Sequence, residues 1–172
     1  MDFEAQIDDA PAGFDIRYTT MDDASYHLEW LSVPQTLQFF PMREPREVED
    51  AVKRWIGFSR YKCSITATID GVPCGLATLY LQAYRTLAHQ CEFGIVVDEK
   101  HRGKKIGSHL MRNLMHLAKT YFNIEVLHLQ VHARNPAIRL YKRLGFREFG
   151  RQTQWCKDRG VYLGRVFMER RL

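Results

Sequence analysis

Hydrophobic and polar positions along the chain change period several times, and each change marks an element. Residues 14–19 alternate as a strand with one buried face, and Met21-Asp22-Asp23 supplies an acidic start for a helix carrying Leu28, Trp30 and Leu31. Pro34 ends that helix. After the aromatic run Phe39-Phe40-Pro41, a second helix with an acidic start at Glu47 places Val48, Val52, Trp55 and Ile56 at helical spacing. Alternation returns over 63–69, breaks at Asp70-Gly71 and resumes over 72–81, the pattern of a hairpin closed by a two-residue turn. Residues 91–98 form a further strand. Over 104–122, Ile106, Leu110, Leu114, Leu117, Ala118 and Tyr121 share one helical face, with Arg112 and Lys119 elsewhere. Residues 124–132 alternate again. The next helix is punctuated at both ends, with Asn135 as N-cap, Pro136 at the first helical position and Gly145 just past the last turn. Trp155, Val161, Leu163, Val166 and Met168, arranged about an Arg159-Gly160 turn, predict two closing strands.

A hairpin succeeded by strands interleaved with helices predicts a mixed α/β sheet without repeats or linkers. At 172 residues the chain fits a single domain, with residues 1–13 as an extended N-terminal tail. Hydrophobic residues at 45% and charged residues at 26% exclude disordered and collagen-like classes. No apolar run approaches the ~20 residues that cross a bilayer. The N-terminus is acidic where a signal peptide would be basic and then apolar, so the expectation is a cytoplasmic protein with no membrane partner. Cys63, Cys74, Cys91 and Cys156 form no CxxC pair, and the pairs His109/His116 and His128/His132 lack a companion acid at ligand spacing, so no metal site is expected.

The net charge of +5 conceals an asymmetry. Residues 1–50 carry 12 acids and 3 bases, whereas residues 51–172 carry 8 acids and 22 bases. The later part should attract an anion, either nucleic acid or a phosphate-bearing cofactor, and the early part a cation. The segment Asp98-Glu-Lys-His-Arg-Gly-Lys-Lys-Ile-Gly-Ser108 comes after a strand and opens a helix. Its glycines let backbone N–H groups crowd together, and Arg102, Lys104 and Lys105 add charge to the helix N-terminus, which makes a pyrophosphate cradle. It is neither a Walker loop nor a GxGxxG turn.

The run from Val97 through Met111, joined about thirty residues later by Asn135-Pro-Ala-Ile-Arg-Leu-Tyr-Lys-Arg-Leu-Gly-Phe146, resembles the GNAT superfamily of N-acetyltransferases. The resemblance implies a mixed, mostly antiparallel central sheet flanked by helices, and transfer of the acetyl group of acetyl-CoA to a primary amine. It places the family's Arg/Gln-x-x-Gly-x-Gly/Ala loop on Arg102, Gly103, Lys104, Lys105, Ile106, Gly107 and Ser108. Lys105 departs from the pattern, which often has glycine there. The resemblance further implies that the backbone of Ile95, Val96 and Val97 pairs with the pantetheine arm, that Asn135 helps to hold the cofactor and that Tyr141 protonates the departing thiolate. Glu92, near the start of the same strand, is the candidate base that takes a proton from the amine, because a protonated amine cannot attack a thioester. A backbone N–H near Val96 is the candidate oxyanion donor.

The stretch from Leu28 to Pro41 is similar to the corresponding part of acetyltransferases that act on ribosomal-protein N-termini and of relatives acting on small amines. The acceptor expected from the acidic first third is cationic: a polyamine, a lysine side chain or a basic N-terminus. Two rivals stand beside this reading. One is a noncatalytic module that binds acetyl-CoA, and the other an RNA-associated basic protein, which the absence of RNP-like or KH-type motifs disfavours. Monomer and homodimer are both compatible with the chain.

Overall fold

The computed structural model describes residues 9–172. Seven strands form one sheet in the order β1-β2-β3-β4-β5-β7-β6. They are β1 (Phe14–Tyr18), β2 (Ser64–Ile69), β3 (Val72–Tyr80), β4 (Gln90–Val97), β5 (Val126–His132), β6 (Arg147–Asp158) and β7 (Val161–Arg171). Neighbours run antiparallel except β4 and β5, which are parallel. The helices are α1 (Ala24–Ser32), α2 (Pro34–Leu37), α3 (Pro45–Gly57), α4 (Ile106–Phe122) and α5 (Ile138–Arg143). This is the mixed, mostly antiparallel sheet with flanking helices that the sequence pattern and the resemblance together imply.

Local chemistry explains the joints. Asp70 and Gly71 both take positive φ, 50° and 79°, as the turn between β2 and β3 requires. Arg159 and Gly160 repeat that solution between β6 and β7, at 46° and 84°. Helix α3 begins at Pro45 rather than Glu47, because proline suits the first helical position and Glu47 folds back to accept from the amides of Glu44 at 3.0 Å and Arg43 at 2.7 Å. Helix α5 begins at Ile138, later than Asn135 and Pro136 predict. Asn135 instead caps a preceding turn, its Oδ1 accepting from the Ala137 amide at 2.9 Å and its carbonyl from Ile138 at 3.2 Å. The other end is a full Schellman closure. Gly145 at φ 82° donates to Lys142, and Phe146 donates to Tyr141.

Side chains from alternate positions fill two cores, one on each face of the sheet. On one face Ile106, Leu110, Leu114, Leu117 and Ala118 of α4 pack with Leu127, Leu129, Val166 and Met168. Tyr121 is not part of this stripe. It lies in the last turn, 51% exposed, and meets His116 edge-on. On the other face Trp30, Leu31, Val48, Val52 and Ile56 of α1 and α3 pack on Leu76 and Val96. Residues 1–8 of the expected N-terminal tail lie outside the described residues. Residues 9–13 are tied down: Phe14 donates to Pro11, Asp70 donates to Gly13, and Asp9 pairs with Lys105 at 3.3 Å.

One buried carboxylate joins β1, β2 and α1. Asp23, 1% exposed, receives two hydrogen bonds from Arg17 at 2.7 and 2.8 Å, one from the Thr20 amide at 2.9 Å and one from Thr66 at 2.9 Å. Burial alone would raise its pKa, but Arg17 and the other donors outweigh burial and hold it below the ordinary carboxylate value. The contribution is therefore fully present above about pH 4 and is lost as pH falls through the depressed pKa. Asp23→Ala should destabilise the fold by about 3 kcal/mol at pH 7, measured by urea unfolding, because it strands buried donors. Against wild type, the deficit should shrink in acid; a constant deficit would remove the ion pair as its cause.

Candidate active site

β4 and β5 pair over only three positions, Gln90 with Val126, Cys91 with Leu127 and Glu92 with His128. Beyond them β4 continues to Val97 and β5 to His132 with no pairing between the two. Strand edges need hydrogen-bond partners, and an extended ligand can supply them as an added strand. Ile95, Val96 and Val97 lie on this separated part of β4 and line a cleft of about 390 Å³.

At the end of β4 the chain turns into the N-terminus of α4 through a basic loop. Gly103 takes φ 78° and Lys105 φ 63°. Lys105 thus adopts the left-handed conformation that glycine reaches without strain, which explains how the family's usual glycine and this lysine occupy one position. Its ammonium turns away to Asp9. Among the described residues, the amides of Gly103, Lys104, Lys105, Ile106 and Gly107 meet no protein acceptor. Together with the α4 dipole they form an anion nest. Arg102 is fixed beside it, donating through Nη2 to Thr36 Oγ1 at 2.6 Å and through Nε to the Val97 carbonyl at 3.3 Å. A Cβ on Gly107 would lie 3.3 Å from Leu140 and 3.8 Å from Val97, so a larger side chain would grow into the cleft.

Tyr141 of α5 closes the other end of the cleft, 6% exposed, with its ring edge-on to Phe93 at 6.0 Å. Burial raises its phenol well above the ordinary value, so it stays protonated at neutral pH and can serve only as a donor of that proton. Asn135 lines the same wall.

Glu92 does not line this cleft. Successive strand residues face opposite ways, so Phe93 meets Tyr141 while Glu92 lies on the other face of β4, where Gln130 donates to it at 3.1 Å. Beside it Tyr80 and Trp55 occupy the space a side chain on Gly94 would need. Burial first, and then the charge of Glu92, raises the Tyr80 phenol well above its ordinary value. Tyr141 and Glu92 therefore lie on opposite faces of β4.

The structure brings together Ile95, Val96, Val97, Arg102, Gly103, Lys105, Ile106, Gly107, Ser108, Asn135 and Tyr141 around one cleft. Lys104 and Glu92 stand outside its lining. Thr36, Phe39, Phe40, His101 and Arg143 also line it, although the sequence does not single them out for the cofactor. Phe39-Phe40 is visible as an aromatic run, but only tertiary contact carries Thr36 to Arg102. Among the described residues no acid lines the cleft: Asp23 is locked to Arg17, Glu47 caps α3 and Asp9 pairs with Lys105. These three acids of the first third are thus engaged elsewhere. Burial pushes the Cys63 and Cys91 thiols up to about 12 and Cys74 to about 11, which disqualifies them as nucleophiles at neutral pH. Among the described residues, no group of three or more His, Cys, Asp or Glu is placed to hold a metal, and no helix is long and apolar enough to cross a membrane.

Known proteins share this fold. The L-amino acid N-acetyltransferase AaaT of Escherichia coli (strain K12) is 30% identical over 107 residues, a match covering 62% of this chain and 66% of that protein, slightly under two thirds of its length. A Salmonella typhimurium protein solved with its cofactor acetyl-CoA superposes with a TM-score of 0.74 at 20% identity, covering 92% of this chain and 94% of the other. The ribosomal-protein-alanine N-acetyltransferase of Brucella melitensis superposes with a TM-score of 0.77 at 23% identity, covering 92% and 99%. Residues 25–146 match the acetyltransferase (GNAT) family. With the cradle, the separated strands and the sequence match agreeing, the chain belongs to the GNAT family of acetyltransferases, whose acyl donor is acetyl-CoA.

Proposed function

We propose that the protein transfers the acetyl group of acetyl-CoA to a primary amine. The observation that carries this reading is the row of unpartnered amides at Gly103–Gly107 opening onto a cleft that ends at buried Tyr141. When bound, acetyl-CoA supplies an acetyl thioester, whose C–S bond breaks as the C–N bond forms. The amides of the nest and Arg102 would hold the diphosphate, and the backbone of Ile95, Val96 and Val97 the pantetheine arm. Asn135 and Ser108 complete the wall. Lys104 contributes charge near the nest rather than a contact in the cleft.

The acceptor arrives as an ammonium and must lose a proton before its nitrogen can attack. Glu92 is the base in this reading, working from the face opposite the cleft through the gap between β4 and β5. As the amide forms, the nitrogen sheds its second proton to solvent; Tyr141 gives its proton to the departing sulfur and recovers one from solvent, and a backbone N–H near Val96 faces the charge that develops on the acetyl oxygen. The E. coli relative is named for L-amino acids, which are small primary amines and favour a small acceptor over a folded protein. A noncatalytic module would bind acetyl-CoA without releasing thiol in the presence of any amine, and an RNA-binding protein would show salt-sensitive RNA affinity with none for acetyl-CoA.

Tyr141→Phe should lower kcat about 100-fold while leaving acetyl-CoA affinity, read by calorimetry, within a factor of two; an unchanged kcat would remove the phenol from the reaction. For Glu92→Gln the loss in kcat/KM should be largest at low pH and should shrink as pH approaches the pKa of the amine. A loss independent of pH would demote Glu92 to a structural carboxylate. Gly107→Trp should abolish acetyl-CoA binding at unchanged Tm, because the indole fills the cleft; retained binding would refute the cradle assignment.

A further inference from the structure

Beyond β4, the face of the sheet that carries Glu92 holds a second polar array. Gln130 of β5 is exposed, and its side-chain amide is polarised between opposite charges: its Nε2 donates to Glu92 Oε2 at 3.1 Å and its Oε1 accepts from Arg165 Nη1 of β7. Arg165 is held from three sides. Its Nε donates to Gln152 at 2.9 Å, and its guanidinium lies 4.7 Å from the Phe167 ring centroid and 5.5 Å from that of Trp155. Among the described residues, its Nη2 meets no acceptor. His132 is the register partner of Arg165 across β5 and β7. It is 6% exposed, accepts the Arg134 amide on Nδ1 at 3.1 Å and leaves Nε2 with no partner. Because Nδ1 accepts, the neutral ring carries its proton on Nε2.

A carboxylate, one amide and a guanidinium in a row present the charges of a zwitterion in reverse. The distance between Glu92 and Arg165 is one amide group plus a hydrogen bond at each end. An α-amino acid spans a comparable distance when it displaces the exposed Gln130 amide, its ammonium hydrogen-bonding to Glu92 and its carboxylate to Arg165. Resting on the transferase reading above, we infer that Arg165 is the anchor for the acceptor's carboxylate and that the site selects free α-amino acids over amines lacking that group. Nη1 and Nη2 of Arg165 offer the fork that a carboxylate fits. The ammonium is thereby delivered to Glu92, the group that must deprotonate it. Trp155, Phe167 and Phe39, the last edge-on to His132 at 5.8 Å, supply the apolar surface for the amino acid's side chain. The acceptor is then zwitterionic rather than cationic, its ammonium facing Glu92 and its carboxylate Arg165.

The test is thiol release from acetyl-CoA with free amino acids, their carboxamides, the corresponding decarboxylated amines and a basic peptide. Free amino acids should be preferred over their carboxamides by about 30-fold or more in kcat/KM. Arg165→Gln should raise KM for the best amino acid by about the same factor and erase that preference, with acetyl-CoA affinity and Tm unchanged. Arg165→Lys, which keeps the charge but not the fork, should fall between. Equal rates for acids and carboxamides, or release only with the peptide or the decarboxylated amines, would overturn the carboxylate anchor and leave the transferase intact. Acetyl-CoA binding without thiol release for any member of the panel would overturn the transferase reading, and the anchor with it.

Discussion

Everything at the site depends on how early β4 and β5 stop pairing. Three residues of parallel ladder are enough to keep the sheet continuous, and after Glu92 and His128 the strands diverge. A sheet ladder that ends inside a domain exposes backbone groups that water or a ligand must satisfy. Tyr141 meets β4 from one face of the sheet, and Glu92 lies on the other.

The electrostatics divide in the same way. On the cleft side the positive character comes from backbone amides at the start of α4, left without acceptors because the helix begins there and fixed by two positive φ angles, together with Arg102, Arg143 and Lys105. Backbone dipoles keep their direction, whereas lysine side chains swing outward, as Lys105 does toward Asp9. On the opposite face the charges are side chains held by neighbours, with Arg165 over aromatic rings and Gln130 bridging it to Glu92.

Particular residues show where the sequence is legible. Asp70-Gly71 and Arg159-Gly160 announce their turns because only a few residue types accept positive φ, and the Gly145 closure of α5 is legible for the same reason. The start of α5 is not, because Asn135 can cap a tight turn as well as a helix, and contacts in space choose between the two. Tyr121 keeps the period of the buried face of α4 yet is 51% exposed, so periodicity alone overstates burial. Lys104 and Lys105 share a charge and a motif, yet only Lys105 lines the cleft, and its ammonium is engaged by Asp9. A count of bases therefore overstates how many of them face the ligand.

By itself the sequence determined the order of the elements, the basic loop at the start of α4 and the tyrosine on α5. These depend on local backbone preference and on spacing within one helix or one turn, which travel with the chain. The tertiary structure decided that Glu92 and Tyr141 face opposite sides of β4, that Thr36 meets Arg102, that Asp9, Asp23 and Glu47 are engaged by Lys105, Arg17 and the start of α3, and that Glu92, Gln130 and Arg165 form one line. Those relations cross strands or elements far apart in the chain. Whether they form is set by sheet order, register and the point at which β4 and β5 separate, none of which any single segment encodes.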